Sequence, residues 1–320
     1  MTTNNILITG GSSGLGYASA QALQRRTMPA TGVGRILVTA TTGAAALQAA
    51  ARLTEETGVS VHGLQLDLAS AGSIDACVTA IEELLGQEPL AAVALNAGIQ
   101  IVDGLKRNEA GHELTMAVNH VGHLRLLFRL WRRIRSGGRV VFIGSGTHNP
   151  DERLARMFGF RGSHFRSVAD WLEGSGDPRR NAAQQGLDRY ANSKLANIMT
   201  ALELTRRVPA GRMEFYAVDP GLMPGTGLAR DHNWFDRAGW MAMRALIPLI
   251  PGSSTPEESA LVVAGILLGR HTAGSVEDHY LDFKGRPAPR TALADDAQAA
   301  RAMLDQTLEL LGVAPRDLLG

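Results

Sequence analysis

A glycine-rich stretch near the amino terminus constrains the fold more than any other part of the chain. Residues Asn4–Ile8 predict a short buried strand, and residues 17–26 have helical spacing. Between them, glycines stand at positions 10, 14 and 16 of a Thr-Gly-Gly-Ser-Ser-Gly-Leu-Gly run. Gly10 permits a tight turn, Gly14 lets the backbone approach a pyrophosphate, and Gly16 lets helix and strand pack closely. Because a helix N-terminus also favours phosphate, the stretch predicts a dinucleotide-binding turn.

The following segments alternate between strand and helix patterns. Further strands are predicted at residues 35–40, 61–66, 90–95 and 139–145, and helices at 70–85 and 109–135. The apolar run at 90–95 is typical of a strand that is buried on both faces. This alternation predicts an α/β fold built on a doubly wound parallel sheet with right-handed crossovers.

A tyrosine and a lysine in the second half of the chain have helical spacing. Tyr190 and Lys194 lie four residues apart, which brings two side chains to one face of a helix. A chance pairing is rare, because the chain has 4 tyrosines and only three lysines among its 32 basic residues. Taken alone, the pair fits a solvated helix surface equally well. Ser145 ends the strand predicted at 139–145, at the edge where open parallel sheets bind ligands.

Composition argues against several classes of protein. The formal net charge of +1 gives no bias toward nucleic acid or an anionic membrane. The single cysteine, Cys77, rules out an internal disulfide and is interpreted as a small buried residue. No apolar run is long enough for a membrane span and no signal pattern is present, so a cytoplasmic location is expected. His120 and His123 could share a metal, but they lack a third ligand at a useful spacing, so no metal site is predicted.

The ordered set of motifs resembles the short-chain dehydrogenase/reductase superfamily over about residues 5–285. Two runs, at 118–123 and 193–197, are similar to its retinol dehydrogenase and protochlorophyllide reductase branch. The resemblance implies a Rossmann fold and an oxidoreductase. The matching pieces are the glycine turn at 9–16, Asp67, the Asn-Ala-Gly run at 96–98, Asn119, Ser145, the Tyr190 and Lys194 pair, and the Asp-Pro-Gly run at 219–221.

The resemblance implies four catalytic residues. Tyr190 would act as general acid and base at the substrate oxygen, and Lys194 would lower the pKa of Tyr190 and bond the nicotinamide ribose. Ser145 would hold the substrate carbonyl or hydroxyl group. Asn119 would keep a water in line for proton relay. The hydride itself belongs to the cofactor.

Cofactor contacts are implied for the glycine turn, for residues after the next strands, and for a Pro-Gly pair. Thr41 and Thr42 stand where an NAD-preferring turn places an acidic residue. With neither an acid nor an arginine there, and with hydroxyl groups that could bond a 2′-phosphate, the sequence favours NADP(H) over NAD(H). The predicted contacts are Gly10, Ser12, Ser13, Gly14, Leu15, Gly16, Thr41, Thr42, Asp67, Leu68, Asn96, Ala97, Gly98, Tyr190, Lys194, Pro220, Gly221 and Thr226.

The sequence departs from the compact family pattern after the fifth strand. Ser145 and Tyr190 are 45 residues apart (190 − 145), which predicts an insertion at 147–186 that acts as a lid or a surface loop. Residues 222–254, rich in tryptophan and methionine, fit a core helix or, as the resemblance implies, a helical substrate lid. A lid of this composition suits a bulky, weakly polar molecule. Residues 1–285 are expected to form one dinucleotide-binding and catalytic domain. Residues 286–320 are expected to form a helical extension, with a helix over 293–311.

Three functions stay open on the sequence alone. The first is an NADP(H)-dependent carbonyl reductase or alcohol dehydrogenase acting on a bulky hydrophobic substrate. The second is a reductase of an activated carbon–carbon double bond, although Cys77 lies on a helix away from the site and argues against a light-driven pigment reductase. The third is a cofactor-binding regulatory protein, which the intact catalytic set argues against. Monomer and homo-oligomer are both open, and the arginine-rich face of residues 125–133 slightly favours a monomer.

Overall fold

A seven-stranded parallel sheet lies at the centre of the protein. Its structure is a computed structural model that describes residues 4–25, 33–223, 252–271 and 273–319. The strands run in the order β3-β2-β1-β4-β5-β6-β7, and every neighbouring pair is parallel. This confirms the predicted doubly wound α/β fold. The strands are β1 Asn4–Ile8, β2 Val33–Ala40, β3 Ser60–Gln65, β4 Leu90–Leu95, β5 Ile134–Ile143, β6 Met213–Val218 and β7 Tyr280–Leu281.

Helices cover both faces of the sheet, and polar caps fix where several of them begin. Ser70 caps α3, and Asn181 caps α8 through its side chain. Thr255 and Glu258 form a capping box at α9, with proline at the first helical position. The helices are α1 Gly14–Arg25, α2 Gly43–Thr57, α3 Ala71–Leu85, α4 Leu114–Met116, α5 His123–Arg129, α6 Arg153–Met157, α7 Val168–Glu173, α8 Ala182–Arg207, α9 Pro256–Leu267, α10 Ala292–Asp295 and α11 Ala297–Leu311.

Successive residues of a strand place their side chains in two separate hydrophobic cores, one on each face of the sheet. Leu7 belongs to the core beneath α3, α5 and α8, whereas its neighbours Ile6 and Ile8 belong to the core beneath α1 and α9. All three side chains are fully buried, as the period of two along a strand requires when both faces are covered. Cys77 is buried in the first core, which confirms its interpretation as a structural residue.

The helix predicted over 109–135 is shorter and irregular. It begins at Leu114, after Glu113 caps the N–H groups of Thr115 and Met116. Gly111 has a left-handed φ of +80°, which stops the helix from extending backward. Residues Ala117–Gly122 are π-helical, and residues 134 and 135 already belong to β5. The prediction was therefore wrong at both ends and in the middle.

The insertion after β5 is largely packed against the rest of the chain. It contains α6 and α7, and Trp171 of α7 is buried in the first core. The indole N–H of Trp171 donates to the carbonyl of His164 at 2.9 Å. The backbone N–H of Val168 donates to Gln306 of α11 at 2.8 Å, which ties the insertion to the carboxyl-terminal helices.

The carboxyl-terminal part folds onto α8. The helix predicted over 293–311 is interrupted at Asp296, whose side chain caps α11 instead. Most of the predicted lid at 222–254, including Thr226, lies outside the described residues. None of the helices in the described ranges combines the length and the apolar composition that crossing a bilayer requires.

Candidate active site

The turn between β1 and α1 has the close backbone packing that a pyrophosphate site needs. Gly10 and Gly14 have left-handed φ values of +64° and +57°. A Cβ atom on Gly10 would lie 2.9 Å from the Cα atom of Ala97, and one on Gly16 would lie 2.5 Å from the side-chain nitrogen of Asn96. Only glycine fits these positions, so the turn keeps its backbone open at the amino end of α1. These residues fit a dinucleotide phosphate group.

Thr9 joins the glycine turn to the loop that follows β4. Its Oγ1 atom accepts hydrogen bonds from the backbone N–H groups of Asn96 and Ala97, at 2.8 and 3.0 Å. The side-chain amide of Asn96 donates back to the carbonyl of Thr9 at 2.8 Å. The predicted Asn-Ala-Gly run therefore lies beside the glycine turn at one edge of the sheet.

The remaining residues predicted to contact the adenosine half of the cofactor lie in the segments that follow β1, β2 and β3. Thr41 and Thr42 are exposed, and the Oγ1 atom of Thr42 caps α2. Asp67 uses one carboxylate oxygen to accept from the backbone of Ala69 at 2.9 Å. In the turn after β1, Ser13 is exposed and Ser12 is half-buried, whereas Leu15 and Leu68 are buried.

Asn119 is fixed inside the π-helical segment. Its side-chain amide donates to the carbonyl of Ile99 at 2.9 Å and to the hydroxyl of Ser193 at 3.0 Å, and its Oδ1 accepts from the N–H of Ile99 at 2.8 Å. Its main-chain carbonyl accepts from His123 and Asn197, at 3.1 and 3.2 Å. Bonds from other elements thus replace the regular helical pattern, as is common for π-bulges at functional sites.

Tyr190 and Lys194 lie on one face of α8, and both side chains are buried. The Nζ atom of Lys194 lies 5.4 Å from the centre of the Tyr190 ring. It donates to the carbonyl of Ile143, the last residue of β5, at 3.1 Å. Asn197 donates to the same carbonyl at 3.1 Å. The pair is therefore anchored at the carboxyl end of β5, two residues before Ser145.

Ser145 is held by residues that follow it in the chain. Its Oγ atom accepts from the backbone N–H of Thr147 at 3.3 Å, which leaves the hydroxyl proton to be donated elsewhere. Its carbonyl accepts from Nδ1 of the buried His148 at 2.7 Å. Because a carbonyl only accepts, Nδ1 of His148 carries the proton. His148 lies within the insertion predicted at 147–186.

Burial is the main cause of the pKa shifts of Tyr190 and Lys194. It raises the pKa of the Tyr190 phenol, and the negative charge of Asp219 raises that pKa further. Burial lowers the pKa of Lys194 to about 8, and Asp219 opposes this shift. The sequence analysis expected Lys194 to lower the pKa of Tyr190, but here burial of the phenol has the larger effect.

The Pro220 and Gly221 turn follows β6, next to the end of β5. The carbonyl of Pro220 accepts hydrogen bonds from the hydroxyl groups of Ser254 and Ser259, the latter at 2.7 Å. Gly221 has a left-handed φ of +69°. These contacts hold the turn against the start of α9, at the same edge of the sheet as Ser145.

Apolar side chains of the insertion line the Tyr190 side of α8. Phe160 and Ala155 are buried in one cluster with Tyr190, and Phe158 and Leu187 pack against it. The rings of Phe160 and Tyr190 lie 6.0 Å apart between centres. The insertion and Leu187 of α8 therefore form an apolar wall, defined by these four side chains, beside the phenol.

The two histidines considered for a metal have other partners. His123 contacts Thr9 and the Asn119 carbonyl, and Nδ1 of His120 lies 3.2 Å from the side-chain oxygen of Asn197. Within the described ranges, no three histidine, cysteine or acidic side chains are grouped as metal ligands. Thr9, Asn197, His148 and Asp219 hold the site together, and the sequence analysis gave none of them a role. Thr9, Asn197 and Asp219 stood inside motifs that it quoted.

Comparison with known proteins places the chain among oxidoreductases. Residues 4–153 match the family model described as short chain dehydrogenase. The chain is 32% identical over 320 residues to dehydrogenase/reductase SDR family member 13 of Bos taurus, covering 97% of this chain and 73% of that protein. It is 30% identical over 239 residues to a protochlorophyllide reductase of Avena sativa, covering 71% and 74%.

A solved structure has the same fold at lower identity. The landomycin C-6 ketoreductase LanV, determined with bound NADP and rabelomycin, matches with a TM-score of 0.58 and 21% identity. The match covers 89% of this chain and 96% of that one. At this identity the likeness concerns the fold.

Proposed function

The chain belongs to the short-chain dehydrogenase/reductase family and is an oxidoreductase, and from this premise we propose that it interconverts a carbonyl and a secondary alcohol with NADP(H) on a bulky hydrophobic substrate. One observation carries the proposal. Lys194 donates to the carbonyl of Ile143, two residues before Ser145 at the carboxyl end of β5, and Tyr190 lies beside Lys194 on α8. A phenol, an amine and a hydroxyl at one edge of the sheet suit proton transfer to a substrate oxygen.

The cofactor would be held by the glycine turn, the loop after β4 and the predicted residues Lys194, Pro220 and Gly221. When bound, it supplies a hydride to the substrate carbon or takes one from it. Two observations support NADP(H): Thr41 and Thr42 are exposed at the amino end of α2, where no acid would repel a 2′-phosphate, and LanV is described with bound NADP.

Tyr190 would deliver the proton during carbonyl reduction. Because burial raises its pKa, the phenol holds its proton at neutral pH. Lys194 is charged below a pH of about 8, so its ammonium would stabilise the phenolate that forms when Tyr190 gives up the proton. Ser145, whose Oγ accepts from Thr147, would donate its hydroxyl proton to the substrate oxygen and orient it. Asn119 would fix the π-helical segment beside these groups.

The apolar wall on the insertion supports a bulky, weakly polar substrate. Phe160 and Ala155 pack with Tyr190 in one cluster, so a substrate oxygen that reaches the phenol passes hydrophobic side chains. Sites of this kind bind apolar bodies and orient them through a few polar groups.

Hydride transfer from labelled cofactor tests the proposal. The protein is incubated with 4S-deuterated NADPH and a panel of ketones and activated alkenes, and the label is located by mass spectrometry. Deuterium on a carbinol carbon supports carbonyl reduction. The absence of label from every ketone would contradict it.

Reduction of an activated carbon–carbon double bond is a second candidate, favoured by the similarity to protochlorophyllide reductase of Avena sativa. Deuterium on a former alkene carbon would support it in the same experiment. Burial of Cys77 in the core beneath α3 argues against its thiol as the proton donor.

A further inference from the structure

The carboxylate of Asp219 lies between two turns that follow neighbouring strands. Its Oδ1 accepts a hydrogen bond from the backbone N–H of Gly221 at 3.0 Å. The same carboxylate lies close to Gly146, the residue after Ser145, and the nearby backbone of Gly146 acts to lower the pKa of Asp219. A Cβ atom on Gly146 would lie 3.1 Å from Oδ2 of Asp219, so glycine lets the carboxylate approach the turn.

The main chain of Asp219 is itself fixed to the sheet. Its N–H donates to the carbonyl of Leu281 at 2.8 Å, and the preceding residue, Val218, pairs with Leu281 in the parallel ladder. The carboxylate therefore projects from a rigid point at the end of β6. A charged acceptor makes stronger hydrogen bonds to backbone N–H groups than a neutral one does.

We propose that Asp219 is a positioning residue whose carboxylate holds the turn that carries Ser145 against the turn that carries Pro220 and Gly221. The inference rests on the proposed function, because it concerns how Ser145 is placed relative to Tyr190 and the cofactor cleft. Asp219 acts through these two turns and does not touch the reacting atoms.

The charge of Asp219 also affects the pKa values of Tyr190 and Lys194, the predicted catalytic pair. Burial, together with the nearby acids Glu152 and Asp282, raises the pKa of Asp219 to about 6. Its negative charge in turn raises the pKa values of Tyr190 and Lys194. Asp219 is thus an anion above a pH of about 6, while Lys194 is a cation below a pH of about 8. The titratable groups that act on Asp219 or respond to its charge come from α8, the insertion, β7 and the loop after it: Tyr190, Lys194, Glu152, Tyr280 and Asp282.

Amide titration by nuclear magnetic resonance tests the contacts of the Asp219 carboxylate with Gly221 and Gly146. In the wild-type protein, the amide protons of Gly146 and Gly221 should both shift with a midpoint at a pH of about 6, as Asp219 loses its proton. Asp219→Asn should abolish both titrations. Asp282→Asn is the matched control: it removes a neighbouring charge that raises the pKa of Asp219, so both titrations persist at a lower midpoint. Amides that do not titrate in the wild type, or that still titrate in Asp219→Asn, would overturn the proposal.

The lysine composition allows a second measurement. The chain has three lysines, Lys106, Lys194 and Lys284, so protein labelled with carbon-13 at lysine Cε gives a simple spectrum that single substitutions can assign. Asp219→Asn should move the Lys194 midpoint below its value of about 8, whereas a purely structural role would leave it unchanged. An unchanged midpoint would contradict the electrostatic part of the proposal.

Kinetics complete the test. Asp219→Asn should lower kcat by about 10- to 100-fold, because a small displacement of a positioned hydroxyl has a large effect on rate, with a smaller change in the KM for NADPH. Wild-type kcat would contradict the positioning role. The two resonance experiments need no substrate, so a failure to find turnover would count against the proposed function alone.

Discussion

The Nε2 atom of His123 lies 2.9 Å from the Oγ1 atom of Thr9. Nδ1 of the same ring faces the carbonyl of Asn119 at 3.1 Å, so Nδ1 carries the proton. Burial lowers the pKa of His123 to about 3, so the ring is neutral and Nε2 accepts from the Thr9 hydroxyl. Hydrogen bonds through the side chains of Thr9 and His123 therefore connect the glycine turn directly to the π-helical segment that carries Asn119.

Removing the Thr9 hydroxyl should destabilise this connection. Thr9→Val keeps the shape of the side chain but leaves two backbone N–H groups and Nε2 of His123 without their partner. We expect the free energy of unfolding to fall by about 2–4 kcal/mol, measured by chemical denaturation. Thr9→Ser keeps the hydroxyl and should lose much less. Equal losses in the two variants would show that the hydroxyl network is not responsible.

Replacing the Tyr190 phenol should remove turnover and leave cofactor binding intact. Tyr190→Phe keeps the ring that packs on Phe160 but has no proton to transfer. Since positioned acid–base groups contribute about 10²- to 10⁴-fold, we expect kcat to fall by at least about 10²-fold. NADPH affinity, followed by its fluorescence, should change little. A variant with wild-type kcat would refute the role of Tyr190.

The pH dependence of carbonyl reduction should be limited by Lys194 on the alkaline side. Burial lowers the pKa of its amine to about 8, so the positive charge is present below that value and is lost as the pH rises through it. Reduction also needs Tyr190 in its protonated form, which its raised pKa maintains over this range. The value of kcat/KM should therefore decline above a pH of about 8.

Lys194→Arg provides the corresponding check. The guanidinium keeps its charge at alkaline pH, so the decline should disappear even if the absolute rate is lower. A decline that stays in place in this variant would assign it to another group.

Alanine substitutions at two glycines with the same backbone conformation distinguish the effect of backbone strain from the effect on cofactor binding. Gly10 and Gly58 have φ values of +64° and +69°. An added Cβ would meet Ala97 at 2.9 Å from Gly10, whereas nothing lies within 4 Å of the Gly58 position. The left-handed backbone should cost each alanine substitution about 1–2 kcal/mol in the free energy of unfolding, and the contact with Ala97 should make the loss larger for Gly10→Ala. Only Gly10→Ala should weaken NADPH binding, measured by titration calorimetry. Equal affinities in the two variants would argue against the glycine turn as the cofactor site.

The apolar wall should discriminate between substrates by size. Phe160 is buried beside Tyr190, whereas Met157 in the same insertion is 76% exposed. Phe160→Leu keeps an apolar side chain but opens space, so it should lower kcat/KM for a bulky ketone by about tenfold and affect a small ketone less. Met157→Leu should leave both values unchanged. Equal effects on the two ketones would place the substrate elsewhere.

Local patterns allowed most of the fold to be predicted from sequence. The glycine turn and the buried strands depend on neighbours within a few residues. The π-helical segment was missed because its geometry depends on Asn197, which donates to the Asn119 carbonyl from 78 positions away. The contact between Asp219 and Gly146 is equally long-range. Such contacts form only when folding brings the ends of the strands together, so no local sequence pattern predicts them.

The burial of α8 has a consequence for how the enzyme can be studied. Residues 188–204 are all buried by the chain's own elements, α11 and the insertion among them. No second copy is needed to cover the helix that carries Tyr190 and Lys194. The surroundings of this pair should therefore stay the same on dilution, so single-molecule and millimolar measurements will probe the predicted site in one and the same environment.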